Sequence, residues 1–184
     1  MKNNTIVIIV LFLCIGCSDT YSPKPRGFQR IDLTKKEYEL SKTQCSFNFQ
    51  KPIEVKVLQG KEECWMNLYY PKHKATIYIT YKALEGDLSN VLEESHQLVY
   101  DHSKKSDGII EKAFLNHKER VFGVMYDIHG NSASNLQFFA TDSTNHFIRG
   151  ALYFNHSPNA DSIQPVKEYI KQDLQVLMES LNWS

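Results

Sequence analysis

Seven histidines are the residues of this 184-residue chain that most readily suggest catalysis or metal binding. Histidine changes charge near neutral pH and is the commonest metal ligand in proteins. A chelating pair on one helix face is four residues apart, whereas His96 and His102 are six apart and project in different directions. We therefore predict packed or solvated histidines and no metal site. An enzyme or a small-ligand-binding protein that uses His96, His102 or His146 is the alternative hypothesis.

Serine, aspartate and histidine also lie close together in the segment 130–146. A hydrolase nucleophile in a GxSxG motif stands between two glycines on a tight strand-to-helix turn. Ser132 and Ser134 instead occupy a small-residue loop between two predicted strands, where such residues favour turns for local reasons. The chain has no GxxxxGK[ST] or GxGxxG phosphate loop. The sequence therefore predicts no catalytic residues and no cofactor.

The charge balance and composition limit the classes of partner. Lys and Arg number 21, equal to Asp and Glu, so no net field attracts nucleic acid or an anionic membrane. A mean hydropathy of −0.41 excludes a multi-spanning membrane protein. Ten Tyr, ten Phe and two Trp argue against disorder, and the length fits one domain with an appendage.

The N-terminus has the pattern of an export signal. Lys2 precedes ten uninterrupted apolar residues, 6–15, and the chain becomes polar directly after Cys17. Because a membrane-spanning helix needs about twenty apolar residues, we predict that residues 1–16 are a cleaved signal peptide. The small residue Gly16 before Cys17 resembles the lipobox of bacterial lipoproteins, in which this cysteine is diacylated.

Alternatives to lipidation of Cys17 are plain secretion and a short uncleaved anchor. Lipidation of Cys14 would require Leu13 to serve as the small residue. Acyl chains would keep the protein on its membrane, because each buried CH₂ contributes about 0.8 kcal/mol. Ser18 favours an outer-membrane location facing the periplasm. Asp19 alone is only weak support for export to the cell surface.

Residues 17–30, which contain Pro23 and Pro25, predict a lipidated N-terminus with a flexible tether, and residues 31–184 predict a single domain. Alternating apolar and polar residues predict eight antiparallel strands, over residues 45–49, 54–57, 64–70, 75–81, 109–115, 120–128, 135–141 and 146–154. The last two are expected to form a hairpin.

Two long helices are expected among these strands. One is capped by Asp87 and ends before Gly108, and its acidic residues Glu93 and Glu94 face outward. The other is capped by Asp161 or Ser162, has Pro165 in its first turn, and carries an apolar stripe that must pack on the sheet. The fold class is α+β, a mainly antiparallel sheet with two helices packed on it. Its element order resembles the PsbP/Mog1-like α/β/α sandwich, a fold-level analogy without functional content.

Cys45 and Cys64 form an even pair in an exported domain, which favours a disulfide. The alternative is two buried free thiols, because both lie among apolar and aromatic residues. A zinc site is less favoured, since two cysteines 19 apart without a nearby CxxC or HxxxH supply too few ligands.

Aromatic residues exceed what a minimal core needs, and exposed aromatic side chains anchor interfaces. A core role is the simpler interpretation. Adjacent pairs such as Phe138 and Phe139 point to opposite faces of a strand, however, so one member of each pair needs a cover. The predicted partner-contact residues are Trp65, Tyr69, Phe138, Arg149 and Tyr153.

Five segments resemble the GldD gliding motility lipoproteins of Bacteroidota: YSPKPRGF (21–28), CWMNLYYPK (64–72), QFFATDS (137–143), FIRGALYFN (147–155) and PNADS (158–162). The resemblance covers essentially the whole chain after residue 17. It departs at Ser46, where the family pattern has Pro.

The resemblance implies a non-enzymatic envelope lipoprotein that is needed for gliding and associated with the type IX secretion machinery. Its partners would be other gliding lipoproteins, contacted by protein-protein interaction, and no catalytic residues come with the family. A purely structural stabiliser of the secretion complex is the third hypothesis, which falling partner levels on deletion would distinguish.

Overall fold

The computed structural model describes residues 35–41, 43–103, 106–155 and 160–184. The predicted signal peptide 1–16, the tether 17–30 and Cys17 lie outside these residues, as do the side chains of His102 and Asp161. The described elements, in chain order, are β1 (Tyr38–Ser41), β2 (Phe47–Pro52), β3 (Lys56–Gln59), β4 (Met66–Tyr70), β5 (Ala75–Ala83), α1 (Leu88–His102), β6 (Ser106–Asn116), β7 (Val121–Gly130), β8 (Leu136–Thr141), β9 (His146–Phe154), α2 (Ala160–Ser180) and β10 (Asn182–Trp183).

Seven strands form one antiparallel sheet in the order β3-β4-β5-β9-β8-β7-β6. The strands β8 and β9 are paired from Gln137 with Ala151 to Thr141 with Phe147, so the expected hairpin forms. The α+β fold class is confirmed.

The two helices cover opposite faces of this sheet. The apolar stripe of α2, including Ile170 and Leu174, packs with Phe138 of β8 in the larger core. Val91 and Val99 of α1 pack in a second core with Phe139, the next residue of β8. Side chains of adjacent strand residues point to opposite faces, so this division gives an α/β/α arrangement. The PsbP/Mog1-like topology stays a prediction.

A small second sheet, in the order β1-β2-β10, corrects the expectation of a single sheet. The strand predicted over 45–49 begins at Phe47, joins this small sheet instead of the large one, and packs against α2. Its rings Phe47 and Phe49 are fully buried. The strands β1 and β10 were not predicted, because strands of four and two residues are too short to show a period.

Both helices begin differently from expectation. α1 runs from Leu88 to His102, but the side chain of Asp87 does not cap it. That carboxylate instead accepts hydrogen bonds from Lys82 Nζ at 2.7 Å and from the backbone N–H of Glu85 at 3.2 Å. α2 begins at Ala160, which places Pro165 in the second turn, not the first.

Buried ion pairs fasten α2 to its surroundings. Lys167 Nζ lies 2.7 Å from Asp127 Oδ1 on β7, and Lys171 binds the other carboxylate oxygen. Asp127 and Lys167 are 3% and 1% exposed, so the pair lies inside the protein. Asp173 of α2 pairs with Lys36, 2.7 Å away, just before β1.

Candidate functional site

The sheet face that α1 covers remains open at its β3-β4-β5 end. The core under α1 draws on β7, β8 and the start of β9 through Tyr126, Phe139 and Phe147. Beyond it, Tyr78 of β5 is 45% exposed and Leu58 of β3 is 47% exposed. We call this surface the open face and define it by Leu58, Tyr69, Tyr78, Arg149 and Tyr153, which share one side of the sheet.

Aromatic rings dominate the open face. The rings of Tyr78 and Tyr153 meet edge to face, with centroids 5.7 Å apart. Tyr69 on β4 is half-buried and stands opposite Thr76 of β5, beside this pair. The uncovered end of the sheet thus presents a rigid, amphipathic surface.

A groove of about 270 Å³ runs between α1 and the strands β5 and β9, next to the open face. Thr80 and Arg149 line it from the sheet, and Glu94 and Ser95 line it from the helix. Trp65 lies at the same groove, with its indole Nε1 donating to the carbonyl oxygen of Tyr81 at 3.2 Å. Arg149 therefore belongs to both the groove and the open face.

Arg149 is an incompletely bonded cation. Its Nη2 donates to Gln137 Oε1 at 2.6 Å, while its buried Nε finds no hydrogen-bond partner among the described residues. Burial lowers the pKa of the guanidinium, and this effect outweighs the electrostatic interactions with Tyr153 and Glu94, which raise it. The hydroxyl of Ser95 is likewise buried and without a partner in the described part of the chain. Two unmatched donors thus lie at one groove.

The structure brings four of the five predicted contact residues to this side of the sheet: Trp65, Tyr69, Arg149 and Tyr153. Phe138 is 1% exposed and packs in the core beneath α2, so its prediction as a surface contact is wrong. Tyr78 and Ser95 were not among the predicted contact residues. Tyr78 alternates with the buried Ile77 and Ile79, and this period could have placed it on the outer face.

His96 and His146, the two histidines of the alternative hypothesis whose side chains the structure describes, do not converge. His96 on α1 packs against Tyr126, whose hydroxyl lies 3.3 Å from both ring nitrogens. His146 lies on the opposite face of the sheet, stacked on Trp183 and 2.9 Å from the hydroxyl of Tyr81. Among the side chains that the structure describes, no three His, Cys, Asp or Glu residues are grouped to hold a metal.

The serines of the 130–135 loop are used locally. Ser132 and Ser134 are 2% and 0% exposed. The hydroxyl of Ser132 donates to the carbonyl oxygen of Ser134 at 3.0 Å, and that of Ser134 donates to the carbonyl oxygen of Leu136 at 3.4 Å. These bonds shape the turn between β7 and β8 and do not present a nucleophile.

Cys45 and Cys64 lie next to each other, with Cα atoms 5.5 Å apart and their sulfur atoms bonded. Cys45 precedes β2 of the small sheet, and Cys64 precedes β4 of the large one. The bond links the two sheets close to Trp65.

Comparison with protein families decides the identity of the chain. A family model described as gliding motility lipoprotein GldD matches residues 18–183. The chain belongs to the GldD family. The family resemblance drawn from the sequence is thereby confirmed, and its reach over the whole chain after Cys17 agrees with the matched range. No curated protein matches the chain.

Membership in the GldD family gives the protein a role in gliding motility and a lipid-anchored location in the cell envelope. Neither α1 nor α2, the helices of the described residues, is long and apolar enough to cross a membrane. The open face and its groove are thus the features of this GldD domain that need a functional explanation.

Proposed function

We propose that this GldD-family protein is a non-enzymatic docking module, held on the membrane by acyl chains at Cys17, that binds another lipoprotein of the gliding and type IX secretion machinery. The anchor is in the outer membrane, with the domain facing the periplasm. The observation that carries this proposal is the open face, where α1 leaves Tyr78 exposed in edge-to-face contact with the half-buried Tyr153.

Exposed aromatic groups favour a protein partner over a charged polymer. Tyrosine offers a large, rigid contact area and a hydroxyl for hydrogen bonding, which is why it is enriched at interfaces. The chain has no net charge to recruit nucleic acid, so recognition rests on shape and on local groups.

Lipidation at Cys17 is tested by labelling cells with radioactive palmitate. We expect incorporation into the wild-type protein and none into Cys17→Ser. Labelling that survives this substitution, or that is absent from the wild-type protein, would exclude the anchor.

Docking at the open face is tested by photo-crosslinking in gliding cells. A photoreactive amino acid replaces Tyr78 in one strain and Leu115 in the control strain. Leu115 is 66% exposed on β6, the edge strand at the end of the sheet away from the open face. We expect position 78 alone to crosslink to another gliding lipoprotein. Equal products from both positions, or no product from 78, would contradict the proposal.

A purely structural stabiliser predicts a different result. Deletion of the protein would then lower the levels of the other gliding lipoproteins, and variants of the open face would leave both gliding and crosslinking unchanged. Immunoblots of the partner lipoproteins in the deletion strain and in the Tyr78 strain separate the two functions.

A further inference from the structure

The groove beside α1 contains a buried cation whose bonding is incomplete. Arginine has five N–H donors, and Arg149 commits one terminal nitrogen to Gln137. Its Nε–H lies within the protein without an acceptor in the described residues, as does the hydroxyl of Ser95 across the groove. A buried donor left unpaired costs roughly 1–3 kcal/mol, so a side-chain rotation that turns either group into the groove towards an acceptor is favoured.

The neighbouring charges leave Arg149 as the cation available to a ligand. Lys82 at the same groove is paired with Asp87 at 2.7 Å. Glu94 lies close enough for its field to act on Arg149, but the two make no ion pair among the described residues. The groove therefore offers one unneutralised guanidinium and one hydroxyl, with an acidic side chain at its rim.

We propose that this groove binds a carboxylate of the partner protein, either an Asp or Glu side chain in an extended segment, through Arg149 and Ser95. A planar guanidinium matches a carboxylate in shape and charge, and charge-assisted hydrogen bonds are the stronger kind. This inference rests on the proposed docking function, because Arg149 also borders the open face and a segment lying over Tyr78 and Tyr153 reaches it directly.

Binding is measured by NMR on the mature, lipidated protein in detergent micelles, labelled with ¹⁵N in arginine only. The chain has few arginines, so its side-chain Nε–H signals separate readily. The probe is the capped peptide acetyl-Gly-Tyr-Glu-Tyr-Gly-amide, and its matched control has Gln in place of Glu. Arg120, which already donates to the Asp142 carbonyl oxygen and the Thr144 hydroxyl, is the internal reference signal.

We expect the Glu peptide to shift the Arg149 Nε–H signal in a saturable way, and the Gln peptide to bind at least tenfold more weakly. The Arg120 signal stays in place. Measured with fluorescent peptides, Arg149→Gln reduces the affinity for the Glu peptide to that for the Gln peptide, and Ser95→Ala weakens it several-fold. Glu94→Gln strengthens binding, because a competing carboxylate is removed.

Equal shifts with the two peptides, or no shift of the Arg149 signal, would overturn the carboxylate site. A response to free acetate as strong as that to the Glu peptide would show a simple anion site and overturn peptide docking. The two proposals fail separately: crosslinking from position 78 without Glu-peptide binding rejects only the groove site. Glu-peptide binding without crosslinking rejects only the partner surface.

Discussion

The ring of Phe138 lies across Gly150, its cross-strand partner in the sheet. A Cβ atom on Gly150 would come within 2.0 Å of Phe138 Cε1 and 2.6 Å of Cζ. The absence of a side chain at Gly150 therefore makes the space in which the ring packs. Strand alternation directs Phe138 into the core and its neighbour Gln137 to the other face, where Gln137 is bonded to Arg149.

Gly150→Ala should destabilise the fold by about 1–3 kcal/mol, because the added methyl group forces the Phe138 ring out of its packed position. The free energy of unfolding in urea measures this effect. Phe138→Leu provides the control in a double-mutant cycle. If the clash is the cause, the double variant loses less free energy of unfolding than the sum of the two single losses. Strictly additive losses would refute the clash.

Asp142 should contribute stability that is lost in acid. Burial alone would raise the pKa of its carboxyl, but hydrogen bonds from the backbone N–H groups of His146, Thr144 and Asn145 outweigh burial and lower it to about 2. The contribution is therefore complete above the ordinary pKa of 3.8 and disappears as the pH falls through about 2.

Asp142→Asn keeps an acceptor oxygen in the β8–β9 turn but removes the charge. We expect the variant to be less stable than the wild-type protein at pH 6, by on the order of 1–2 kcal/mol. This gap should close between pH 4 and pH 2 in urea titrations. A gap that stays constant with pH would show that the charge of Asp142 contributes nothing.

The buried pair of Asp127 and Lys167 should be sensitive to removal of one partner. Asp127→Leu leaves the 1% exposed Lys167 ammonium without its carboxylate, and should cost about 3–5 kcal/mol. Adding Lys167→Met removes the isolated charge and should recover most of this loss. Thermal unfolding of the two variants measures the loss and the recovery. A double variant no more stable than Asp127→Leu alone would show that the isolated Lys167 charge is not the cause of the loss.

Much of the fold was predictable because its signals are local. The alternation in Thr76-Ile77-Tyr78-Ile79 and the helical spacing of Val166, Ile170 and Leu174 each report which side of an element is buried. The strand β2 was misplaced because its period shows that one face is buried but not which sheet it joins. Its partners β1 and β10 come from the two ends of the described chain, beyond the reach of a local pattern.

The candidate site was also predictable only in part, because local sequence patterns do not report contacts between distant segments. Sequence analysis selected Trp65, Tyr69, Arg149 and Tyr153 as aromatic or cationic residues, and all four lie at the open face or its groove. The burial of Phe138 depends on α2 covering its face of the sheet, and the unmatched Ser95 hydroxyl depends on how α1 crosses the sheet. Such pairings are long-range, and residue types do not reveal them.

The bond between Cys45 and Cys64 predicts that the domain isolated from the envelope has no reactive thiol at either position. It closes a loop of 19 residues, so its loss should cost roughly 3 kcal/mol in the chain-entropy model. Mass spectrometry after alkylation without reduction tests the bond, and unfolding of the Cys45→Ala, Cys64→Ala variant tests the energy. Alkylation of both cysteines in unreduced protein would exclude the disulfide.

Tyr78→Ser should reduce gliding without unfolding the protein. Its side chain is 45% exposed and contacts Tyr153 edge to face, so truncation removes interface area and leaves the core intact. Loss of an aromatic anchor typically costs more than about 2 kcal/mol of binding, roughly a thirtyfold fall in affinity. Colony spreading and single-cell speed measure the effect, with protein level and melting temperature as checks. Leu115→Ser, at a more exposed position on the edge strand β6, should glide normally. If both variants glide alike at normal levels, the open face has no part in motility, because a binding surface must be more sensitive to substitution than an exposed surface without a partner.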